Sequence, residues 1–234
     1  MTHPAPSLQS QAGPVVTEVF AAVRKHRLVS VIRAGEPEAA LEAARAVIRG
    51  GIALVEVTYS VPDAPSVMRQ LVAEAPAGVV IGAGTVLTAR EAAAALEAGA
   101  RFLIAPNVSQ VVAGAAREAG VFYCPGAYTT NEILHAVDLG AHLVKVYPVG
   151  VAGGPDYIKV IRDPLPRIPM LAAGGTNLDN IVPFYAAGCV ACGIGGALAD
   201  PALAAAGRFS DLESRARAFV ARAASYTPTV PAGG

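Results

Sequence analysis

The chain has 234 residues, 53% of them hydrophobic and 15% charged, and a formal net charge of zero. That size suits one large α/β domain, and the composition excludes a disordered chain. No Lys/Arg block is long enough to grip a phosphate backbone, so no nucleic-acid partner is expected. No wholly apolar stretch approaches the roughly 18 to 20 residues that span a bilayer. The N-terminus lacks a charged segment followed by an apolar one, so neither membrane insertion nor secretion is expected. The cysteines are Cys124, Cys189 and Cys192, an odd number without repeated spacing. They read as small core residues in a reducing cytoplasm rather than a disulfide framework. Cys189 and Cys192 form C-x-x-C, but on one apolar strand the two thiols would face opposite sides.

Residues 1–14, with Pro4, Pro6, Gly13 and Pro14, predict a loose arm, and Val15–His26 a first helix. A β-branched run, a Gly or Pro turn and an Ala-rich amphipathic stretch then recur eight times through residue 225. The predicted strands are Leu28–Ile32, Ala53–Thr58, Val79–Gly82, Phe102–Ala105, Val121–Cys124, Leu143–Tyr147, Met170–Ala173 and Cys189–Ile194. Helical patterns cover Pro37–Ile48, Ala64–Ala75, Ala89–Ala98, Gln110–Ala119, Thr130–Leu139, Asp156–Ile161, Leu178–Ala187 and Asp211–Ala224. Gly50-Gly51, Gly99, Gly120, Gly140 and Gly188 stand where a helix wants a left-handed stop. Residues 226–234 read as a flexible tail. The pattern predicts a single (β/α)8 TIM barrel over residues 15–225 with an extra N-terminal helix. A doubly wound sheet is the alternative, but no G-x-G-x-x-G follows the first strand.

Lys145 is one of only three lysines, with Lys25 and Lys159, and it alone sits inside an apolar strand. Period two puts it on one face with Leu143 and Tyr147. Burying an ammonium is costly and favours a lowered pKa, which a Schiff-base nucleophile needs. A structural ion pair is the bland alternative. Glu56, in Leu54-Val55-Glu56-Val57-Thr58, follows the same logic as a candidate general acid/base. Barrel chemistry gathers at the C-terminal strand ends. Those ends bring Arg33, Glu56, Thr85 and Lys145 toward one mouth. Arg33 could clamp a carboxylate and Thr85 could donate to it; otherwise they are loop residues. Gly174-Gly175 and Gly195-Gly196, after the seventh and eighth strands, suit a phosphate cradle, although turns use glycine anyway. His3, His26, His135 and His142 are scattered, so no metal site is expected.

The chain resembles the 2-keto-3-deoxy-6-phosphogluconate (KDPG) aldolase family, which includes 4-hydroxy-2-oxoglutarate aldolases. The resemblance rests on Val55–Thr58, Ile81–Leu87, Ala105–Asn107, Cys124–Gly126, Val144–Pro148, Gly154–Lys159 and Gly174-Gly175, and covers about Val15 to Phe219. It implies a class I, metal-independent aldolase without cofactor, usually a homotrimer, acting on small keto acids and aldehydes. By motif, Lys145 forms the Schiff base and Glu56 moves protons. Arg33 and Thr85 hold the pyruvate carboxylate. Pro106 and Tyr147 wall the pocket, and the glycine pairs receive phosphate. Ala173 stands where many members have Thr, Gly196 where Ser is frequent, and Ser60 where some have Arg. The implied reaction is reversible cleavage of a 2-keto-4-hydroxy acid, foremost KDPG, to pyruvate and glyceraldehyde 3-phosphate. The galactonate epimer and 4-hydroxy-2-oxoglutarate are alternative substrates. A sugar-phosphate isomerase and a catalytically silent binder are the competing functions.

Overall fold

The computed structural model describes residues 13–227. The arm predicted over 1–14 and the tail over 226–234 therefore lie almost wholly outside the described residues. Pro14 belongs to neither arm nor linker. It opens the first helix, α1 (Pro14–His26), where its fixed φ and missing N–H are tolerated.

All strands run parallel in one sheet that curls into a barrel. The first four are β1 (Leu28–Ile32), β2 (Leu54–Thr58), β3 (Val80–Gly84) and β4 (Phe102–Ile104). β5 (Phe122–Cys124) and β6 (Gly126–Ala127) form one stave interrupted at Pro125. Proline has no N–H for the ladder. The lower half pairs with β4 and the upper half with β7 (Val144–Val146). Backbone bonds from His142 N to the Tyr123 carbonyl (3.0 Å) and from Lys145 N to the Pro125 carbonyl (2.8 Å) close the barrel there. β8 (Met170–Ala173) and β9 (Ala191–Ile194) return the sheet to β1. The result is the expected (β/α)8 barrel, its fifth stave split.

Between the staves run α2 (Pro37–Arg49), α3 (Ala64–Glu74), α4 (Ala89–Glu97), α5 (Gln110–Ala119) and α6 (Thr130–Asp138). After β7 come α7 (Val149–Ala152) and α8 (Pro155–Arg162), then α9 (Ile181–Ala186), α10 (Pro201–Ala205) and α11 (Phe209–Ala224). The short α7 and α10 are additions to the predicted set. Thr88 and Thr129 start α4 and α6 with reciprocal capping boxes to Glu91 and Glu132. Gly51, Gly99, Gly120, Gly140 and Gly188 have the expected positive φ, but Gly50 does not. Gly50 is small for another reason: a Cβ there would run into Ala216 and the Glu213 carbonyl on α11.

Two apolar layers hold the fold. One lies between sheet and helices and includes Ile32, Val55, Val57, Leu103, Phe184 and Phe219. The other fills the barrel floor: Val29, Leu54, Val80, Phe102, Phe122, Leu143 and Leu171, closed from below by Val16, Val19 and Val23 of α1. Cys189 precedes β9 instead of lying in it, so the expected strand alternation does not apply to it. Cys189 and Cys192 are both buried in the outer layer. Burial pushes the Cys189 thiol up to about 12 and the Cys192 thiol well above its usual range. Among the described residues no helix is long and apolar enough to cross a membrane.

Candidate active site

Side chains alternate along each stave, so residues one layer above the floor point into the barrel toward its C-terminal end. Above Leu54 stands Glu56, and above Leu143 stands Lys145. Both are buried, at 1% and 6% exposure. Lys145 Nζ lies 3.9 Å from Glu56 Oε1, and that oxygen has no hydrogen-bond partner among the described residues. The pair is close enough for strong electrostatic coupling and too far apart for a direct hydrogen bond. Burial raises the Glu56 pKa above the ordinary carboxylate value, while the charges of Lys145 and Arg33 pull it back down. A carboxyl in that balance can both give and take a proton.

The site needs space around the carboxyl, and glycine supplies it. β3 runs two residues beyond its predicted end, which brings Gly84 beside β2. A Cβ at Gly84 would overlap Glu56 Oε1. Thr85 follows directly, half-buried, with a left-handed φ of 56°. Pro106 sits after β4, its carbonyl pressed so close to Gly126 that a side chain there has no room. Tyr147 falls outside β7, because the ladder ends at Val146. It is 39% exposed, and its ring centroid lies 5.3 Å from Lys145 Nζ.

The two glycine pairs differ. Gly174 and Gly175 have φ of 76° and 107°. A Cβ on Gly174 would meet the Tyr147 ring at 2.8 Å, and one on Gly175 would meet Gly150 Cα at 2.6 Å. Gly150 N also donates to the Gly174 carbonyl at 2.7 Å. Packing therefore requires both glycines. Gly195 and Gly196 carry no such demand: a Cβ on either would meet nothing within 4 Å. Open space faces that turn.

Arg33, just beyond β1, is exposed and donates from Nη1 to Ser60 Oγ at 3.2 Å. The structure thus brings Lys145, Glu56 and Arg33 into one electrostatic neighbourhood, with Tyr147 against Lys145. Thr85 and the glycine pairs line up at the same strand ends. No group of three or more His, Cys, Asp or Glu side chains that could hold a metal occurs among the described residues.

A family model described as KDPG and KHG aldolase matches residues 19–213. The chain belongs to the KDPG and KHG aldolase family. It is an aldolase, a carbon–carbon lyase whose substrates are small keto acids. It is 34% identical over 195 residues to a probable 2-dehydro-3-deoxy-6-phosphogalactonate aldolase of Rhizobium meliloti (strain 1021), covering 83% of this chain and 90% of that one. It is also 34% identical over 196 residues to a 2-dehydro-3-deoxy-phosphogluconate aldolase of Treponema pallidum (strain Nichols), covering 83% and 92%. Among solved structures it is similar to a KDPG aldolase from Legionella pneumophila, in which pyruvate was captured at low pH as a covalent carbinolamine. That match has a TM-score of 0.78 at 27% identity and covers 86% of this chain and 97% of the other.

In this aldolase, three residues at the mouth, Gly84, Thr58 and Ser60, carry roles that the sequence reading did not assign to them. Gly84 lies two residues after Gly82, a spacing that marks a stave with an empty inner face. Thr58 and Ser60 bond to one another at 2.7 Å. Their i, i+2 spacing just past a strand was the available signal.

Proposed function

We propose that this aldolase cleaves a 2-keto-4-hydroxy acid reversibly through a Schiff base on Lys145, with KDPG as the foremost substrate and pyruvate and glyceraldehyde 3-phosphate as products. The observation that carries the reading is the buried amine 3.9 Å from an unpartnered carboxyl oxygen inside the barrel mouth. Neutral Lys145 Nζ adds to C2, and loss of water leaves an iminium. Glu56 takes the C4 hydroxyl proton as the C3–C4 bond breaks. The electron pair moves through C3 to the iminium nitrogen, giving an enamine, and the aldehyde departs. Protonation at C3 and hydrolysis release pyruvate and the free amine. The iminium is the electron sink, so the chemistry asks for no cofactor.

Arg33 and Thr85 are assigned to the substrate carboxylate. Pro106 and Tyr147 are assigned to the pocket wall, and Gly174, Gly175, Gly195 and Gly196 to the phosphate end. The open space at Gly195-Gly196 supports the last assignment. A second reading, the galactonate epimer, is favoured by Ala173, which offers a methyl and no hydroxyl where β8 meets the mouth, and by the Rhizobium relative. The catalytic unit is the barrel of residues 15–225, and the family resemblance supports a homotrimer. A reducing cytoplasm suits the three free cysteines.

Borohydride added with pyruvate should label Lys145, located by peptide mass. Lys145→Arg should lose the label and at least about 10³-fold of the activity while keeping its circular dichroism. Label on another lysine would move the nucleophile elsewhere, and no label in the wild type would favour an isomerase or a binder. Competition between the two epimeric phosphosugar acids in steady-state assays then chooses the substrate.

A further inference from the structure

We infer that Ser60 is a positioning residue that aims the Arg33 guanidinium at the substrate carboxylate, through a hydrogen-bond chain whose direction is fixed. The inference rests on the assignment of Arg33 to that carboxylate.

Three bonds form the chain. Arg33 Nη1 meets Ser60 Oγ at 3.2 Å, Ser60 Oγ meets Thr58 Oγ1 at 2.7 Å, and Thr58 Oγ1 meets the Ile32 carbonyl at 3.0 Å. A carbonyl can only accept, so the single Thr58 hydroxyl proton goes to Ile32. Thr58 must then accept from Ser60, whose own proton is thereby committed. That leaves Ser60 Oγ an obligate acceptor facing the guanidinium, which can only donate. Every proton in the chain has one direction, and each bond polarises the next.

The acceptor is also held in place. Thr58 is fully buried on β2. Val61 N donates to the Thr58 carbonyl at 3.0 Å, closing a turn with Ser60 inside it, and Tyr59 N donates to Gly84 at 2.9 Å. An exposed arginine on a four-bond stem is ordinarily a mobile charge. Here one guanidinium nitrogen is pinned to a rigid turn. Ser60 is its sole hydrogen-bond partner among the described residues, so its remaining N–H groups are left for a ligand.

The test measures the pyruvate concentration that gives half-maximal borohydride labelling, in parallel with labelling by acetone, a ketone without a carboxylate. Ser60→Ala should raise the pyruvate value about 3- to 10-fold, the net worth of one typical hydrogen bond. It should leave acetone labelling and the thermal midpoint unchanged, and Ser60→Thr should restore pyruvate binding. In an Arg33→Ala background, Ser60→Ala should add nothing, since the serine acts only through the arginine. If Arg33→Ala raises the pyruvate value and Ser60→Ala does not, the inference fails while the role of Arg33 stands. An equal shift with acetone, or a Ser60→Ala effect that persists without Arg33, also overturns it. If Arg33→Ala leaves pyruvate unchanged, the carboxylate assignment itself is wrong and the inference falls with it.

Discussion

The two ends of the barrel interior are built from the same staves and have opposite contents. The floor packs Leu54, Phe102, Phe122, Leu143 and Leu171 against three valines of α1. One layer up, the same staves carry Glu56, Gly84, Lys145, Ala173 and Gly193. Large side chains below set the stave positions; the layer above pairs small residues with two buried titratable groups. The difference teaches a division of labour at a spacing of two residues: one layer packs the floor, and the next holds the groups to which the proposed mechanism assigns the chemistry.

The sharpest way to break that division is Glu56→Gln. Activity should fall about 10²- to 10⁴-fold, the usual worth of a general acid/base, read as kcat on the cleavage reaction. The fold should respond in the opposite sense. Burial raises the Glu56 pKa, so the folded state favours the protonated form. The associated stability is fully present below about pH 4.5, the unfolded carboxyl value, and is lost as the pH rises through the folded value. The variant should flatten that decline in thermal midpoints taken from pH 5 to pH 8; a parallel curve would mean that the carboxyl is not paying for its burial.

Phe102→Ala empties the floor instead. It should cost about 3–5 kcal/mol of stability in urea unfolding, while kcat measured well below the midpoint changes by less than about threefold. A large kcat loss would show that the floor and the layer above it are coupled. Gly84→Ala crowds the upper layer itself. Its methyl meets Glu56 Oε1, so kcat should drop about tenfold or more, with a loss of about 1–3 kcal/mol from overpacking. The smallest expected effect belongs to the rim of the floor, where His142 stacks on Phe122 and its Nδ1 accepts from Tyr123 N at 3.0 Å. Burial lowers the His142 pKa, so its contribution is present above about pH 6.5 and is lost as the pH falls through the depressed folded value. His142→Asn should remove an acid-side drop of about 2 °C in the thermal midpoint.

The floor was the more legible half in the sequence. Runs such as Leu28–Ile32 and Leu54–Thr58 are short, β-branched and nearly all apolar, as strands covered on both faces are. The charged pair was legible too, because charge is scarce and both groups interrupt apolar staves. What escaped depends on close approach between distant backbones. Gly50 is small because α11 crosses there, and Gly174 and Gly175 because Tyr147 and Gly150 press on them. The break at Pro125 changes the pairing partner in mid-stave, which no local pattern encodes. The Arg33–Ser60 bond links two loops 27 residues apart, brought together by the parallel pairing of β1 with β2.

The α1 plug bears on access. With Val16, Val19 and Val23 seated beneath the floor, the barrel interior is closed at that end. Under the proposed mechanism, the ketone bound on Lys145 and the departing aldehyde would share the approach from the C-terminal strand ends.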